Sequence, residues 1–233
     1  IQPTIGDYFT EKNYRRNYEI LRQLTFVFFC ISSVVAAGLF SLITPFICDI
    51  WLSPAYELGW GTAVLCIVVL LIKIMGLPLS LMMGVTGLFE KEKNAGASSA
   101  VLNLIVSLAL VRPYGMTGVL LGTLLSYLLQ ICYRYVIFFR DFLEMKEEAI
   151  RYARDLGEYT AVMILEVAVT RRIIPLIYGN GGMTPFIFCF VLCILVPLAL
   201  NGVFFGRGWR LQSIVKMVRG MKRSGRIPAP DHA

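Results

Sequence analysis

The residues of this chain that could do chemistry are ionisable side chains set within long apolar runs. Lys73 stands near the middle of one run, and Glu166, Arg171 and Arg172 lie in another. Placing a charge at the centre of a membrane helix costs about 2.5–3.5 kcal/mol on insertion scales, so such residues indicate function by default. We take Lys73 as the leading candidate, with a structural lysine, either paired with Glu166 or snorkelling, as the alternative. For the other three charges we favour a structural or interfacial role.

Several kinds of site are excluded by composition. The single histidine, His232, lies in a Pro-rich terminal segment, so a histidine-based active site inside the fold is excluded. The six cysteines lie in or beside apolar runs without the spacing of a metal site, so we expect neither disulfides nor a bound metal. The net charge is +7, but the basic residues lie between apolar runs, so nucleic acid is not an expected partner. No cofactor is predicted.

Small and polar residues form stripes on three successive apolar segments between Lys73 and Gln130. Steps of three and four residues bring side chains onto one face of a helix. A helical glycine costs about 1 kcal/mol relative to alanine, so in lipid it favours close helix contact or a cavity wall. We predict close packing at Gly76, Gly84, Gly115, Gly118 and Gly122. We predict a substrate cavity lined by Lys73, Ser80, Asn103 and Gln130. For Asn103 and Gln130, interhelical hydrogen bonding is the favoured alternative.

Two further stripes follow the same spacing near the two ends of the chain. The first contains Ser33, Ala37, Ser41 and Pro45. The second contains Pro185, Cys189, Cys193, Pro197 and Asn201. Both stripes predict helix faces of small or polar residues within apolar segments.

The composition predicts an all-α integral membrane protein. The chain is 57% hydrophobic with a mean hydropathy of +0.70, which is far too apolar for a soluble domain. About 20 apolar residues cross the hydrocarbon. We predict six transmembrane helices at about residues 23–47, 60–85, 95–111, 115–137, 157–178 and 185–206. The remaining segments are a lead-in (1–22), an amphipathic interfacial helix (138–155) and a basic tail on anionic lipid (207–233).

The distribution of basic residues predicts the orientation. Lysines and arginines number four in residues 1–22, two in 88–94, five in 134–155 and seven in 207–233. These 18 lie on one side of the predicted membrane, whereas the loops of the other side contain Arg112 alone. The positive-inside rule then places both ends in the cytoplasm, which requires an even number of spans. This supports counting residues 157–178 as a span despite its charges.

Two segments resemble one known family. IQPTIGD, at residues 1–7, resembles the IQPSIG-type motif of polysaccharide-biosynthesis flippases of the O-antigen and capsule type. GVTGLFEKEKNAGASSAVLNLIVSLALVRPYGMTGVLLGTLLSYLL, at residues 84–129, resembles the signature of their second half. The matching positions are Gly87, Asn103, Ser107, Tyr114, Gly115, Gly118, Gly122, Thr123 and Ser126.

The resemblance implies the C-terminal lobe of a multidrug/oligosaccharidyl-lipid/polysaccharide exporter, with a missing N-terminal lobe as its partner. Such proteins are not enzymes. They move a polyprenyl-diphosphate-linked saccharide across the cytoplasmic (inner) membrane by alternating access. The anionic diphosphate would give Lys73 a use as a cation facing the cavity. Polysaccharide polymerase or export machinery is a further partner that the resemblance implies.

Other functions remain open at this point. Within the same superfamily, a drug/cation antiporter would be expected to carry cavity carboxylates, and only Glu166 lies deep in a span. A peptidoglycan-precursor flippase of the same fold is a second alternative. From another class, a membrane glycosyltransferase or polymerase usually needs a large exterior loop, and the exterior loops predicted here are short. A non-transporting membrane scaffold is the last alternative.

Overall fold

The computed structural model describes residues 14–57, 59–142, 146–179 and 182–206. These residues form six α-helices: α1 (Tyr14–Pro45), α2 (Trp60–Val85), α3 (Phe89–Tyr114), α4 (Met116–Val136), α5 (Lys146–Tyr178) and α6 (Met183–Phe205). The shorter elements are two π-helical turns, Phe46–Trp51 and Ile137–Phe142, and a 3-10 turn, Pro54–Tyr56. The IQPTIGD motif, the remainder of the lead-in up to residue 13, and the basic tail (207–233) lie outside the described residues.

The prediction of an all-α fold is confirmed, because the secondary structure of the described residues is entirely helical. Every helix except α5 is long and apolar enough to cross a membrane, which makes five such helices. Large apolar side chains on the outer surface are widely exposed, as at Leu104 (61%), Leu176 (85%) and Val203 (77%). Apolar exposure on this scale is typical of a surface that faces lipid.

The first helix is the centre of the bundle. α1 packs against α2, α5 and α6, while α2 also packs against α4. α3 makes nearly all its contacts with α4, so the two form a tight antiparallel hairpin on one side. In α1, residues such as Leu21, Phe29 and Ala36 are fully buried, because this helix is covered on several faces.

Aromatic and charged contacts tie the helices together at one end of the bundle. The ring of Phe29 in α1 stacks on Tyr159 in α5, with centroids 4.7 Å apart. Nearer the helix ends, Nε of Arg22 donates to Oδ2 of Asp155 at 2.7 Å. Arg134 of α4 pairs with Glu92 of α3 at the same end, with Nε of Arg134 2.5 Å from Oε1 of Glu92.

Tyr152 lies in the same end and links α5 to α1. Its hydroxyl is 3.1 Å from Oγ1 of Thr25, which itself donates to the carbonyl of Leu21 at 2.8 Å. The proton between the two hydroxyls therefore comes from Tyr152. Burial raises the pKa of Tyr152 to about 12, so the phenol stays neutral and can donate.

The opposite end is held by a different set of contacts. The hydroxyl of Tyr178 in α5 donates to Oδ2 of Asp49 at 2.7 Å. The guanidinium of Arg171 lies over the ring of Trp60, 4.5 Å from its centroid. Because Trp60 is the first residue of α2, Arg171 lies near this end of the bundle and not at its centre.

The structure corrects the prediction of an interfacial helix at 138–155. Its first residues form the π-helical turn Ile137–Phe142 after α4, and residues from 146 onward are the first turns of α5. Gly157 does not interrupt α5, so the predicted interfacial segment and the predicted span 157–178 share one helix. In contrast, α2 coincides with the predicted range 60–85.

Candidate functional site

Lys73 lies on an exposed part of α2, near the middle of the helix. It is 13 residues from Trp60 and 12 from Val85, or about 20 and 18 Å from the two ends at about 1.5 Å per residue. Its Nζ lies 5.7 Å from the centroid of the Tyr127 ring of α4. A cation–π contact holds the ammonium in place without neutralising it. The chain therefore presents a positive charge halfway along an apolar helix.

A large apolar cavity lies beside α2, and Lys73 is not among the residues that line it. Its volume is about 600 Å³, and it is bounded by α1, α2, α4 and α5. Residues of α2 that line it include Ile72, Met75, Gly76 and Leu79. The lining is almost entirely apolar, so this cavity suits a hydrocarbon group rather than a sugar or a phosphate.

Asn103 belongs to a polar seam between α3 and α4 and not to that cavity. Its Nδ2 donates to Oγ of Ser126 at 3.3 Å and lies 3.5 Å from Oγ1 of Thr123. Its Oδ1 accepts a hydrogen bond from Ser107 at 2.9 Å. The amide thus makes the interhelical hydrogen bonds that were the alternative to substrate contact. Asn103 does not line the cavity beside α2.

Glycines allow α3 and α4 to approach each other along this seam. A Cβ added at Gly122 would lie 2.9 Å from the backbone nitrogen of Ser107. A Cβ at Gly118 would overlap the carbonyl group of Leu110. Gly76 packs less tightly, because a Cβ there would meet only the end of the Ile131 side chain, at 3.1 Å.

Gly115 and Gly84 have different environments from those glycines. A Cβ on Gly115 would meet no atom within 4 Å, so its predicted close-packing role is wrong. Its φ of +56° instead explains the residue, because glycine adopts this left-handed backbone at the turn between α3 and α4 without strain. Gly84 is exposed near the end of α2.

Glu166 is completely buried near the middle of α5, with 0% exposure. Both of its carboxyl oxygens lack a hydrogen-bond partner among the described residues. Lys73 contacts Tyr127 on α4 instead, so the alternative of a Lys73–Glu166 pair is wrong. Ser33 of α1 is the polar neighbour of Glu166, and Ser33 in turn accepts a hydrogen bond from Asn201 of α6.

The remaining predicted residues are spread over the bundle. Arg171 contacts Trp60, as described above, and Arg172 is exposed near the same end of α5. Ser80 is half-buried on α2, two turns from Lys73, and Gln130 is half-buried on α4, about one turn from Ser126. The four predicted cavity residues therefore do not converge on one cavity in the described part of the chain.

Ser33 and Asn201 are the site residues that the sequence analysis did not single out. Nδ2 of Asn201 donates to Oγ of Ser33 at 3.0 Å, and both side chains are buried. Each lies on a stripe of small or polar residues that the sequence does show. The missing information was that the stripes of α1 and α6 face each other and enclose Glu166.

The fold and these polar groups define a class: an all-α protein whose five long apolar helices indicate a multi-pass membrane protein, with Lys73 near the middle of one of those helices. No protein-family model, curated protein or solved structure matches the chain. Within the described residues, no group of three histidine, cysteine or acidic side chains converges to hold a metal ion.

Proposed function

We propose that this chain is the C-terminal lobe of a flippase that moves a polyprenyl-diphosphate-linked saccharide across the cytoplasmic membrane. The observation that carries the proposal is the exposed Lys73 at the middle of α2. A lysine at that depth is strongly disfavoured against hydrocarbon, but it stays charged beside a wet pathway. A second lobe facing α2 would enclose such a pathway, and the lysine would attract the diphosphate in it.

The surroundings of α2 also match the two parts of this cargo. Lys73 supplies a cation for the diphosphate, whereas Gly76 and Leu79 border the apolar cavity of about 600 Å³. A polyprenyl chain is hydrocarbon, so it would gain by entering a cavity with almost no polar lining. One helix would then bind the headgroup and the tail of the same lipid.

The proposal includes six spans with both ends in the cytoplasm. The sixth span is α5, whose 33 residues extend about 50 Å at 1.5 Å per residue, more than a bilayer core requires. Its Asp155 is paired with Arg22 at one end, and its Arg171 lies over Trp60 at the other. Two of the charges that lower its hydropathy thus have partners on other helices, toward the two ends of α5.

An antiporter of the same superfamily is less well supported. Such a protein would be expected to carry carboxylates facing its cavity. The deep carboxyl here, Glu166, is fully buried between α5, α1 and α6 and does not share a surface with Lys73. We therefore retain the lipid-linked saccharide as the proposed cargo.

Complementation of a flippase-deleted strain by the full-length protein tests the proposal. Lys73→Glu should lower surface polysaccharide about tenfold or more, because a hydrogen bond to a charged group contributes about 1.5–3 kcal/mol. Lys73→Arg should retain part of the activity. The amount of each variant in the membrane fraction is measured in parallel, so that loss of export is separated from loss of protein.

Lys93→Glu is the matched control. Lys93 is also exposed, but it lies in the first turns of α3 near the end of the bundle. The same charge reversal there should leave export close to that of the wild type. Normal export by Lys73→Glu at normal protein levels would contradict the proposed role of the lysine and the cargo argument that depends on it.

A further inference from the structure

The carboxyl of Glu166 lies at the centre of the bundle, where a charge is hardest to accommodate. It is 20 residues from Lys146 and 12 from Tyr178 along α5, or about 30 and 18 Å from the two ends of the helix at about 1.5 Å per residue. Its exposure is 0%, and neither oxygen has a partner among the described residues. A buried polar group without a partner needs a physical explanation.

The hydrogen bonds of Ser33 define what it can offer to Glu166. Its Oγ donates its proton to the carbonyl of Cys30 at 3.1 Å and accepts from Nδ2 of Asn201 at 3.0 Å. A hydroxyl has one proton and two lone pairs, so one lone pair is left for Glu166. A lone pair repels a carboxylate but accepts a hydrogen bond from a protonated carboxyl.

Asn201, like Ser33, has an unused hydrogen-bond acceptor. One N–H of its Nδ2 is used by Ser33, whereas its Oδ1 is buried and has no partner among the described residues. An amide oxygen is an acceptor only. Ser33 and Asn201 thus each present a spare acceptor, and that of Ser33 would be satisfied by a proton on the Glu166 carboxyl.

The charged groups of the surrounding helices do not compensate a carboxylate here. From α1, the titratable group beside Glu166 is the thiol of Cys30. α6 carries no charged residue between Met183 and Phe205. On α5 itself, the nearest cation along the helix, Arg171, lies over Trp60 toward the end of the bundle.

We propose that Glu166, Ser33 and Asn201 form a proton-binding site at the middle of the membrane, in which the protonated Glu166 carboxyl donates to Oγ of Ser33. Loss of the proton would leave a carboxylate against a lone pair in a closely packed core, which is strongly unfavourable. The proton can therefore leave only when α5 separates from α1 and α6. The site links the binding of one proton to the packing of these three helices, and it does not depend on the cargo proposed above.

Infrared spectroscopy of the chain in lipid vesicles at neutral pH tests this site. The wild type should show the carbonyl band of a protonated carboxylic acid, and Glu166→Gln should lose it. Glu158→Gln is the matched control, because Glu158 lies on the same helix but is exposed. That variant should keep the band unchanged.

Ser33→Ala gives a second readout that does not require removal of the carboxyl. Losing the acceptor weakens the hydrogen bond from the carboxyl, so the band should move to higher frequency. A merely structural serine would leave the frequency unchanged. The absence of the acid band in the wild type, or a carboxylate band that depends on sodium, would overturn the proposal. A band that is unmoved in Ser33→Ala would also overturn it.

Discussion

Three polar residues near the middle of their helices have three different environments, and those environments separate their roles. Lys73 is exposed on α2 and contacts an aromatic ring. Asn103 is engaged with Ser107 and Ser126 along a helix seam. Glu166 is sealed between α5, α1 and α6. Residue type and spacing identified all three as unusual, but only the exposure and the hydrogen bonds distinguish a ligand-binding role from a packing role.

The close contact at Gly122 leads to a prediction about stability. Gly122→Ala should destabilise the fold by about 1–3 kcal/mol, because the added methyl group would press on the backbone of Ser107. Gly96→Ala is the control, since a Cβ on Gly96 meets no atom within 4 Å. This second change should be neutral or stabilising by up to about 1 kcal/mol. Reversible unfolding in detergent measures both, and equal effects of the two substitutions would contradict the packing described for α3 and α4.

At the scale of the helices, sequence patterns located the apolar segments well but not the joins between them. α2 coincides with its predicted range, because the apolar run is bounded by an aromatic interface residue, Trp60, and by the charged segment GLFEKEKN. The first turns of α5 have an amphipathic pattern, which predicted a separate interfacial helix. Their buried face packs instead, through Tyr152, on the first turns of α1, the last turns of α2 and the turn after α4. Periodicity shows that a helix has an apolar face, but not whether lipid or protein covers that face.

The buried ion pair between α1 and α5 should contribute more to the stability of the fold than an exposed pair within α5. Asp155→Asn should lower the free energy of unfolding by about 2 kcal/mol or more, because Asp155 is 3% exposed and its partner Arg22 is mostly covered. Glu147→Gln is the matched control within α5. It breaks a pair with Arg151 whose side chains are 82% and 56% exposed, and it should cost less than about 0.5 kcal/mol. Chemical unfolding of both variants in the same detergent measures the two losses of stability. A loss for Asp155→Asn as small as that for Glu147→Gln would contradict the stabilising role of the Arg22–Asp155 pair.

At the scale of the whole molecule, the two ends of the bundle differ in their number of basic residues. The end that contains Arg22, Glu92 and Arg134 holds most of the basic residues of the described chain. It also contains the ion pairs Arg22–Asp155 and Arg134–Glu92. The other end carries Arg112 and the arginines at the end of α5, together with exposed Trp51 and Tyr56. This asymmetry supports the proposed orientation, with the basic end in the cytoplasm.

The central claim is that the middle of α2 faces water and not lipid, and cysteine accessibility tests it most directly. In a full-length protein without its native cysteines, Lys73→Cys should react with a charged, membrane-impermeant thiol reagent supplied on both sides. Val101→Cys is the control at the same depth, because Val101 is 57% exposed near the middle of α3. Ser53→Cys, in the turn before α2, provides the positive control. Reaction at Lys73→Cys and Ser53→Cys but not at Val101→Cys is the predicted result, whereas equal protection of Lys73→Cys and Val101→Cys would contradict the account.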